Sequence, residues 1–208
     1  MLEFTLNKTH KVLFLADSPL ILASGSRYRR ELLKRLGLPF RSVSPDVDEA
    51  PLPGEPPRET AVRLARAKAE AVGQRHARAW IIGSDQVADL DGRPMGKPGT
   101  VENARAQLRT ASGHAVLFHT AVCVWNARLE RRHERLVTTE VAFRRLTDAE
   151  IDRYLAREDA LDCAGSAKAE GLGISLLARL GGEDPTALIG LPLIAVSAIL
   201  RAEGFDVP

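Results

Sequence analysis

The sequence predicts an α/β fold, because short apolar runs with the length of buried strands alternate with segments that have helical spacing. The clearest strands are Leu20-Ile21-Leu22-Ala23 and Trp80-Ile81-Ile82, and the clearest amphipathic helix runs from about Glu59 to Val72. The chain has 208 residues, 45% of them hydrophobic, which is enough for one sizeable core. No repeat or linker interrupts it, so we expect a single domain over residues 19–208.

The first strand gives way at Ser24-Gly25-Ser26 to a helix. Three leucines share one face of this helix, and Gly37 stands where a C-terminal cap is expected. The segment 44–58 is rich in Pro and acidic residues, so it is predicted to be a loop.

The second strand is expected to end at Gly83-Ser84-Asp85-Gln86, and Asp91-Gly92 is typical of a hairpin turn. The remaining elements, in chain order, are a helix from Thr100 to about Ser112, strands over 115–124 and 136–143, a helix that starts at a capping box over Thr147–Glu150, and a last helix from Pro192 to Gly204.

Composition limits the partners of the protein. Lys+Arg 29 against Asp+Glu 27 gives a net charge of only +2, and aromatic residues make up 5%. A protein that wraps a long nucleic acid usually has a basic excess and stacking aromatics. A small anionic ligand, bound by a few cationic side chains, fits this balance better.

Residues 1–18 are predicted to be an N-terminal extension that need not be ordered, or to result from an upstream start codon. Its apolar run, Val12 to Ala16, is too short for a signal peptide, and Asp17 interrupts it. No run reaches the roughly 18 apolar residues of a membrane span, so no membrane partner is expected. Cys123 and Cys163 stand alone, which predicts two reduced thiols and a cytoplasmic protein.

The turn Ser24-Gly25-Ser26, followed by Arg29, has the chemistry of an anion site. Hydroxyls and free N–H groups at a helix start bind phosphate, and Arg adds bidentate donors. The alternative is a capped helix with a solvated basic face.

Lys68 lies on the apolar face of its helix, three or four residues from Leu64, Ala65 and Val72. A charge on a buried stripe needs a partner or a pocket. The alternative is an apolar stem that packs while the ammonium reaches water.

Asp85 is predicted at the end of an apolar strand, where open α/β sheets place ligands. A carboxylate there can accept a proton from water or hold a divalent cation. Asp48 and Glu49 are further candidate metal ligands. Gly96-Lys97-Pro98 is a stiff turn with one cation, and Glu170 lies in a Gly-bracketed polar loop. The Glu170 carboxylate could accept two parallel hydrogen bonds, which guanine offers through N1–H and its amino group.

These residues, in this order, resemble the Maf family of nucleotide pyrophosphatases. The similarity covers about Leu20 to Phe205. The matching motifs are Leu22-Ala23-Ser24-Gly25-Ser26, Arg29-Arg30, Val47-Asp48-Glu49, Arg63-Leu64-Ala65 with Lys68, Gly83-Ser84-Asp85-Gln86, Gly96-Lys97-Pro98, Ser112-Gly113, Cys163-Ala164-Gly165-Ser166 and Gly190-Leu191-Pro192.

The resemblance implies a Maf/ITPase-like fold, with an elongated mixed sheet, flanking helices and two lobes around a central cleft. It implies hydrolysis of a nucleoside triphosphate to the monophosphate and pyrophosphate with Mg²⁺ or Mn²⁺, and a homodimer as the family expectation. It makes Asp85 the proton acceptor. We expect the divalent metal to be bound by Asp85, with Glu49 or Asp48 nearby. The phosphate-binding positions are Ser24, Ser26, Arg29, Lys68 and Lys97.

Three positions distinguish subfamilies, and here they are Tyr28, Gln86 and Glu170. The combination is similar to the subfamily that acts on 7-methyl-GTP, in which an aromatic residue, Gln and Glu occur. A cationic methylated purine would stack on Tyr28 and pair with Glu170. Arg27 replaces the usual Pro, which alters the turn or adds a phosphate contact.

Two other functions remain open at this point. One is a dTTP/UTP or broad-range pyrophosphatase, against which Tyr28 and Glu170 argue. The other is a non-catalytic nucleotide-binding regulator of cell division, against which the presence of Asp85 and Lys97 argues.

Overall fold

The apolar runs of the sequence form the centre of one mixed sheet in the computed structural model, which describes residues 18–208. Of the extension predicted over residues 1–18, all but Ser18 lies outside the described residues. The strands are β1 (Leu20–Ala23), β2 (Phe40–Val43), β3 (Trp80–Leu90), β4 (Arg93–Met95), β5 (Ala115–Asn126), β6 (Arg131–Phe143) and β7 (Leu177–Gly181). The helices are α1 (Arg27–Lys34), α2 (Pro57–Gly73), α3 (Val101–Ala111), α4 (Asp148–Leu155) and α5 (Leu193–Ala202). The predicted α/β class is confirmed.

The strand order is β2-β1-β3-β5-β6-β7, and β4 pairs with the far end of β3. The pairs of β1 with β2 and β3 are parallel, whereas the other pairs are antiparallel. β1 stops at Ala23, opposite Gly83, but β3 continues to Leu90. Beyond Ala23, therefore, β3 has lost its β1 neighbour, and this is where the ligand cavity opens.

The prediction that Asp85 ends its strand was wrong. Asp85 lies in the middle of β3, opposite Ala121 of β5. The antiparallel pairing with β5 runs from Ile81 to Asp89 and keeps β3 extended through the polar residues. It is the end of the parallel neighbour β1 that gives Asp85 access to the cavity.

Three clusters of buried side chains divide the molecule into two lobes. In the first lobe, one face of the sheet packs on α1 and α5 around Leu22, Trp80 and Val196. The opposite face packs on α2 around Ala65 and Ile81. In the second lobe, α3 and α4 cover the far halves of β3, β5 and β6.

Helix α2 lies unusually close to β3 because Gly83 has no side chain. A Cβ atom at Gly83 would lie 2.2 Å from the backbone oxygen of Ala65 and 2.7 Å from the backbone nitrogen of Ala69. This close approach brings the buried face of α2, including Lys68, directly over β3.

Most of the predicted capping and turn signals are confirmed. Ser26 and Thr100 are N-caps, Thr147 and Glu150 form a capping box, and Gly37 has a left-handed φ of 69°. The Asp91-Gly92 hairpin turn joins β3 to β4, with positive φ at both residues. Pro192, predicted for the first turn of α5, occupies the N-cap position instead.

Strands β2, β4 and β7 were not predicted. They are short, and none of them is buried along its whole length. No helix between residues 18 and 208 combines the length and apolarity needed to cross a bilayer.

Candidate active site

A cavity of about 1050 Å³ opens between the two lobes, next to the end of β1. All ten candidate residues with a predicted role line it. They are Ser24, Ser26, Tyr28, Arg29, Glu49, Lys68, Asp85, Gln86, Lys97 and Glu170. Asp48 is not among the lining residues, and its carboxylate accepts a hydrogen bond from the Ala50 backbone nitrogen at 2.9 Å.

The inner end of the cavity, formed by Ser24, Arg29, Glu49, Lys68 and Asp85, is centred on a buried ion pair. The Lys68 Nζ atom lies 2.7 Å from Oδ1 of Asp85 and 2.7 Å from Oε1 of Glu49. Lys68 is 4% exposed and Asp85 6% exposed, whereas Glu49 projects from the exposed 44–56 loop. The sequence prediction that Lys68 needs a partner is therefore confirmed.

Asp85 is a carboxylate in a poorly solvated position. Burial raises its pKa above the ordinary value, and the charges of Lys68 and Arg29 offset only part of this effect. Within the described part of the chain, its Oδ1 accepts from Lys68 and its Oδ2 forms no hydrogen bond. Asp85 can therefore accept a proton or a cation from the cavity side.

Arg29 is held at the inner end by the chain turn at Gly190. Its Nε donates to the Gly190 carbonyl oxygen at 2.8 Å, and its Nη1 lies 3.5 Å from the Ser24 hydroxyl. Burial lowers the pKa of Arg29, although Asp85 and Glu49 raise it. Ser24 also accepts from the backbone nitrogen of Ser26 at 3.1 Å, so the turn is closed around the guanidinium.

Lys97 reaches the same region from the second lobe. Partial burial raises the pKa of Glu49, but the hydrogen bond from Lys68 and the charges of Lys97 and Arg29 outweigh it and lower the pKa. Three cations thus surround the two carboxylates, which gives this end a positive balance suited to phosphate groups.

The outer end of the cavity, formed by Arg27, Tyr28, Asp159, Asp162 and Glu170, consists of exposed or half-buried side chains on loops and the first turn of α1. Lys168 is not a lining residue and lies beside this end. The Tyr28 hydroxyl donates to Oδ1 of Asp162 at 3.3 Å. The Lys168 Nζ atom lies 5.9 Å from the centre of the Tyr28 ring and forms an ion pair with Glu158 at 2.9 Å.

Arg27 belongs to this outer end and not to the phosphate end. Its guanidinium lies 4.8 Å from the Tyr28 ring centre, donates to the Tyr28 hydroxyl and forms an ion pair with Asp162 at 3.7 Å. The predicted alternative of a phosphate contact therefore has no support in the structure. The Tyr28 ring attracts cations, as an electron-rich ring face does.

Glu170 is exposed, and within residues 18–208 it forms no hydrogen bond. The hydrogen bond to Glu158 is the largest cause of the raised pKa of Lys168, and the nearby Tyr28 and the charge of Glu170 raise this pKa further. Asp159, Asp162 and Glu170 outnumber the cations Arg27 and Lys168 there, which gives the outer end a negative balance.

Gln86 has its amide nitrogen directed away from the cavity. The Nε2 atom lies 2.9 Å from Thr120 Oγ1 and from the carbonyl oxygens of Ala187 and Leu188. These bonds hold the short 3-10 turn Ala187–Ile189 against β3 and β5.

Two kinds of residue at or next to the cavity were not among the predicted site residues. One is the support of the Gly190 turn, where Ser84, fully buried, donates to the carbonyl oxygens of Ala121 and Gly190. The other is the acidic pair Asp159 and Asp162. The Ser84 position on an apolar strand was a usable signal, but the two aspartates looked like ordinary loop residues.

Between residues 18 and 208, no three His, Cys, Asp or Glu side chains cluster as a metal site. Both cysteines are free thiols; Cys123 is buried in β5, and Cys163 lines the cavity. Burial raises the pKa of each thiol to about 12, so neither has the thiolate character of a reactive cysteine.

Comparison with known proteins gives consistent matches over most of the chain. A family model described as "Maf-like protein" matches residues 19–203. A protein of Aromatoleum aromaticum named 7-methyl-GTP pyrophosphatase is 59% identical over 191 residues, which are 92% of this chain and 98% of that protein.

Two further relatives have the same name. The one from Burkholderia thailandensis is 56% identical over 91% of each chain. The one from Xanthomonas axonopodis pv. citri is 58% identical over 91% of this chain and 98% of its own length.

Proposed function

The chain belongs to the Maf family, and on that premise we propose that it is a nucleoside triphosphate pyrophosphatase that converts 7-methyl-GTP to 7-methyl-GMP and pyrophosphate. One observation supports this proposal above all: the cavity is cationic at its inner end and acidic, with an aromatic ring, at its outer end. A nucleotide whose base is positively charged and whose phosphates are negative matches both ends. The relatives named above act, by their names, on that nucleotide.

At the inner end, Asp85 is the proton acceptor of the proposed reaction. Water attacks the α-phosphorus, its proton passes to Asp85, and the bond from the α-phosphorus to the bridging oxygen breaks, so that pyrophosphate leaves. The raised pKa of Asp85 makes its carboxylate a better proton acceptor than that of an ordinary aspartate. No covalent intermediate is required.

The cations of the inner end bind the phosphates. Arg29 offers its Nη atoms, because its Nε is already bonded to Gly190. Lys68 and Lys97 act as point charges, and hydroxyls of Ser24 and Ser26 add hydrogen bonds. These groups stabilise the charge that develops on the departing pyrophosphate.

A divalent cation fits the donor set of the inner end. Asp85 and Glu49 lie on either side of the Lys68 ammonium, so their carboxylates already share one positive charge. Mg²⁺ commonly binds through one or two carboxylates together with substrate phosphates and water, which agrees with the absence of a larger cluster between residues 18 and 208. When bound, Mg²⁺ or Mn²⁺ would neutralise phosphate charge and polarise the water.

At the outer end, Tyr28 and Glu170 select the base. N7-methylation makes guanine cationic, so stacking on Tyr28 gains a cation–π contribution of about 0.5–2 kcal/mol. The free carboxylate of Glu170 accepts from N1–H and the amino group, and Asp162 and Asp159 add negative potential. Gln86 contributes indirectly, because it fixes the turn that forms the cavity wall beside it.

We further propose that the enzyme is cytoplasmic, in agreement with its two free thiols. The expected homodimer and the single domain over residues 19–208 stay predictions, which sedimentation and limited proteolysis would measure.

The proposed function is tested by pyrophosphate release from 7-methyl-GTP, GTP, UTP and dTTP with Mg²⁺ or Mn²⁺. We expect 7-methyl-GTP to have the highest kcat/KM and a chelator to abolish turnover. Higher kcat/KM for UTP or dTTP would favour the pyrimidine alternative. Tight nucleotide binding with no pyrophosphate release would instead identify a non-catalytic binding protein.

A further inference from the structure

One side chain outside the cavity connects its two ends. Gln107 lies on α3, and its Nε2 donates to the Gly96 carbonyl oxygen at 3.0 Å. Its Oε1 accepts from the hydroxyl of Ser166 at 2.5 Å. Neither Gln107 nor Ser166 lines the cavity.

The first partner of Gln107 is the phosphate-side turn, which we define as residues 96–99. This turn presents Lys97 to the inner end of the cavity. A second amide of α3, that of Asn103, donates to the Pro98 carbonyl oxygen at 3.0 Å, so the helix holds the turn at two points.

The second partner of Gln107 is the base-side turn, which we define as residues 163–167. Cys163, Ala164 and Ala167 line the cavity, and Glu170 follows closely in the chain. Ser166 is fully buried and has a φ of 58°, a left-handed conformation that costs energy for a residue with a side chain. The hydrogen bond to Gln107 is what satisfies its buried hydroxyl.

Helix α3 is a rigid support for both turns. Ala104, Leu108 and Ala111 are fully buried in the second lobe, so the helix cannot shift without disrupting the core. A separate hydrogen bond from the Gly99 backbone nitrogen to the Leu161 carbonyl oxygen, at 3.1 Å, links the phosphate-side turn to the segment just before the base-side turn. This bond does not depend on Gln107.

We propose that Gln107 is a positioning residue that sets the spacing between the phosphate-binding and base-binding halves of the site. This inference rests on the proposed function, because only a ligand with both a base and phosphates spans the two turns. The spacing of the two turns should affect the binding of such a ligand but not the binding of a fragment that contacts only one turn.

The test compares three ligands by calorimetry: pyrophosphate, 7-methylguanosine, and a 7-methyl-GTP analogue with a methylene bridge between its α- and β-phosphorus atoms. Gln107→Glu removes the donor to Gly96 and keeps an acceptor for Ser166. Ser166→Ala removes only the other bond. Thr110→Ala, an exposed position on the same helix, is the control.

We expect Kd for the analogue to rise about two- to tenfold in each of the first two variants, which is the range that one lost hydrogen bond supports. Kd for each fragment should stay within about twofold of that of the unsubstituted protein. Gln107 links the two turns through two hydrogen bonds in series, so the loss of either bond breaks the link completely. The double variant should therefore bind the analogue no more weakly than the weaker single variant.

Three results would overturn the inference: analogue binding as strong as in the Thr110→Ala protein, equal weakening of both fragments, or losses that multiply in the double variant. Equal weakening would mean that Gln107 only maintains local structure. If the unsubstituted protein bound none of the three ligands, the proposed function would be overturned, and this inference with it.

Discussion

An ion pair at the inner end of the cavity and another beside its outer end lie in different surroundings. At the inner end, the Lys68–Asp85 pair is carried by a helix and the central strand, and both side chains are almost fully buried. Beside the outer end, the Lys168–Glu158 pair lies on loops and is partly solvated. The difference indicates that the inner geometry is fixed by the core, whereas substitutions at the outer end should disturb the fold less.

The largest effect is expected from Asp85→Asn. Loss of a positioned general base typically lowers kcat by about 10²- to 10⁴-fold, and the amide keeps the shape of the side chain, so the protein should remain folded. Steady-state turnover of 7-methyl-GTP, together with thermal unfolding, measures both effects.

Asp89→Asn is the matched control for this substitution. Asp89 lies on the same strand and contacts His119, but it does not line the cavity. Turnover of the Asp85 variant near that of the Asp89 variant would remove Asp85 from the proposed role.

The second test compares the two ion pairs directly. Lys68→Met leaves the buried Asp85 without its partner and should cost about 3–5 kcal/mol of stability. Lys168→Met removes the partly solvated pair and should cost less, because Glu158 keeps its hydrogen bond from the Leu172 nitrogen. Chemical denaturation of both variants gives the two free energies of unfolding, and equal losses would contradict the contrast between the ends.

The third effect concerns selectivity at the outer end. Glu170→Gln removes a charged acceptor, whose hydrogen bonds are worth about 1.5–3 kcal/mol. We expect kcat/KM for 7-methyl-GTP to fall by roughly 10- to 100-fold, with little change for UTP, because UTP lacks the two donors in that arrangement. A similar decrease with both nucleotides would assign Glu170 a structural role.

The smallest expected effect concerns pH, because Asp85 and Glu158 should be protonated at different points as the solution is acidified. Burial raises the pKa of Asp85, which faces Lys68, Arg29 and Glu49, so protonation of the base should begin at a pH above that of an ordinary aspartate. Beside the outer end, the backbone hydrogen bond from Leu172 and the side chain of Lys168 lower the pKa of Glu158.

The sign of each shift sets the expected sequence of events. The stabilising contribution of Glu158 is present above its unfolded pKa and is lost only as the pH falls through its lowered pKa. Acidification should therefore reduce kcat/KM while the segment 158–172 remains ordered. A pH–rate profile and hydrogen exchange of that segment would measure this order, and early opening of the segment would contradict it.

The sequence predicted which side chains line the cavity better than it predicted the strands and contacts that position them. Lys68 was identifiable because a charge on an apolar helix face needs a buried partner, and the ordered motifs and subfamily positions identified the other nine candidates that line the cavity. The position of Asp85 within β3 was not identifiable, because the length of β3 depends on its pairing with β5. Contacts to backbone oxygens, such as that of Gly190, leave no side-chain pattern to read.

The edge strands β2 and β7 were not predicted, for a related reason. β2 and β7 have mixed polar and apolar residues, and their extended conformation depends on the strand beside them. The composition of the outer end was predicted only in part, because Asp162 is brought there by contacts with Tyr28 and Arg27 that join distant parts of the chain.

Gly83 has a consequence for how inactive variants of this protein would be interpreted. Even a methyl group there would collide with the backbone of Ala65 and force α2 off the sheet, taking the Lys68 ammonium away from Asp85. A random-mutagenesis screen would thus report Gly83 as indispensable, although glycine contributes no reactive atom. At this position, intolerance to substitution measures how closely two backbones touch and says nothing about participation in bond cleavage.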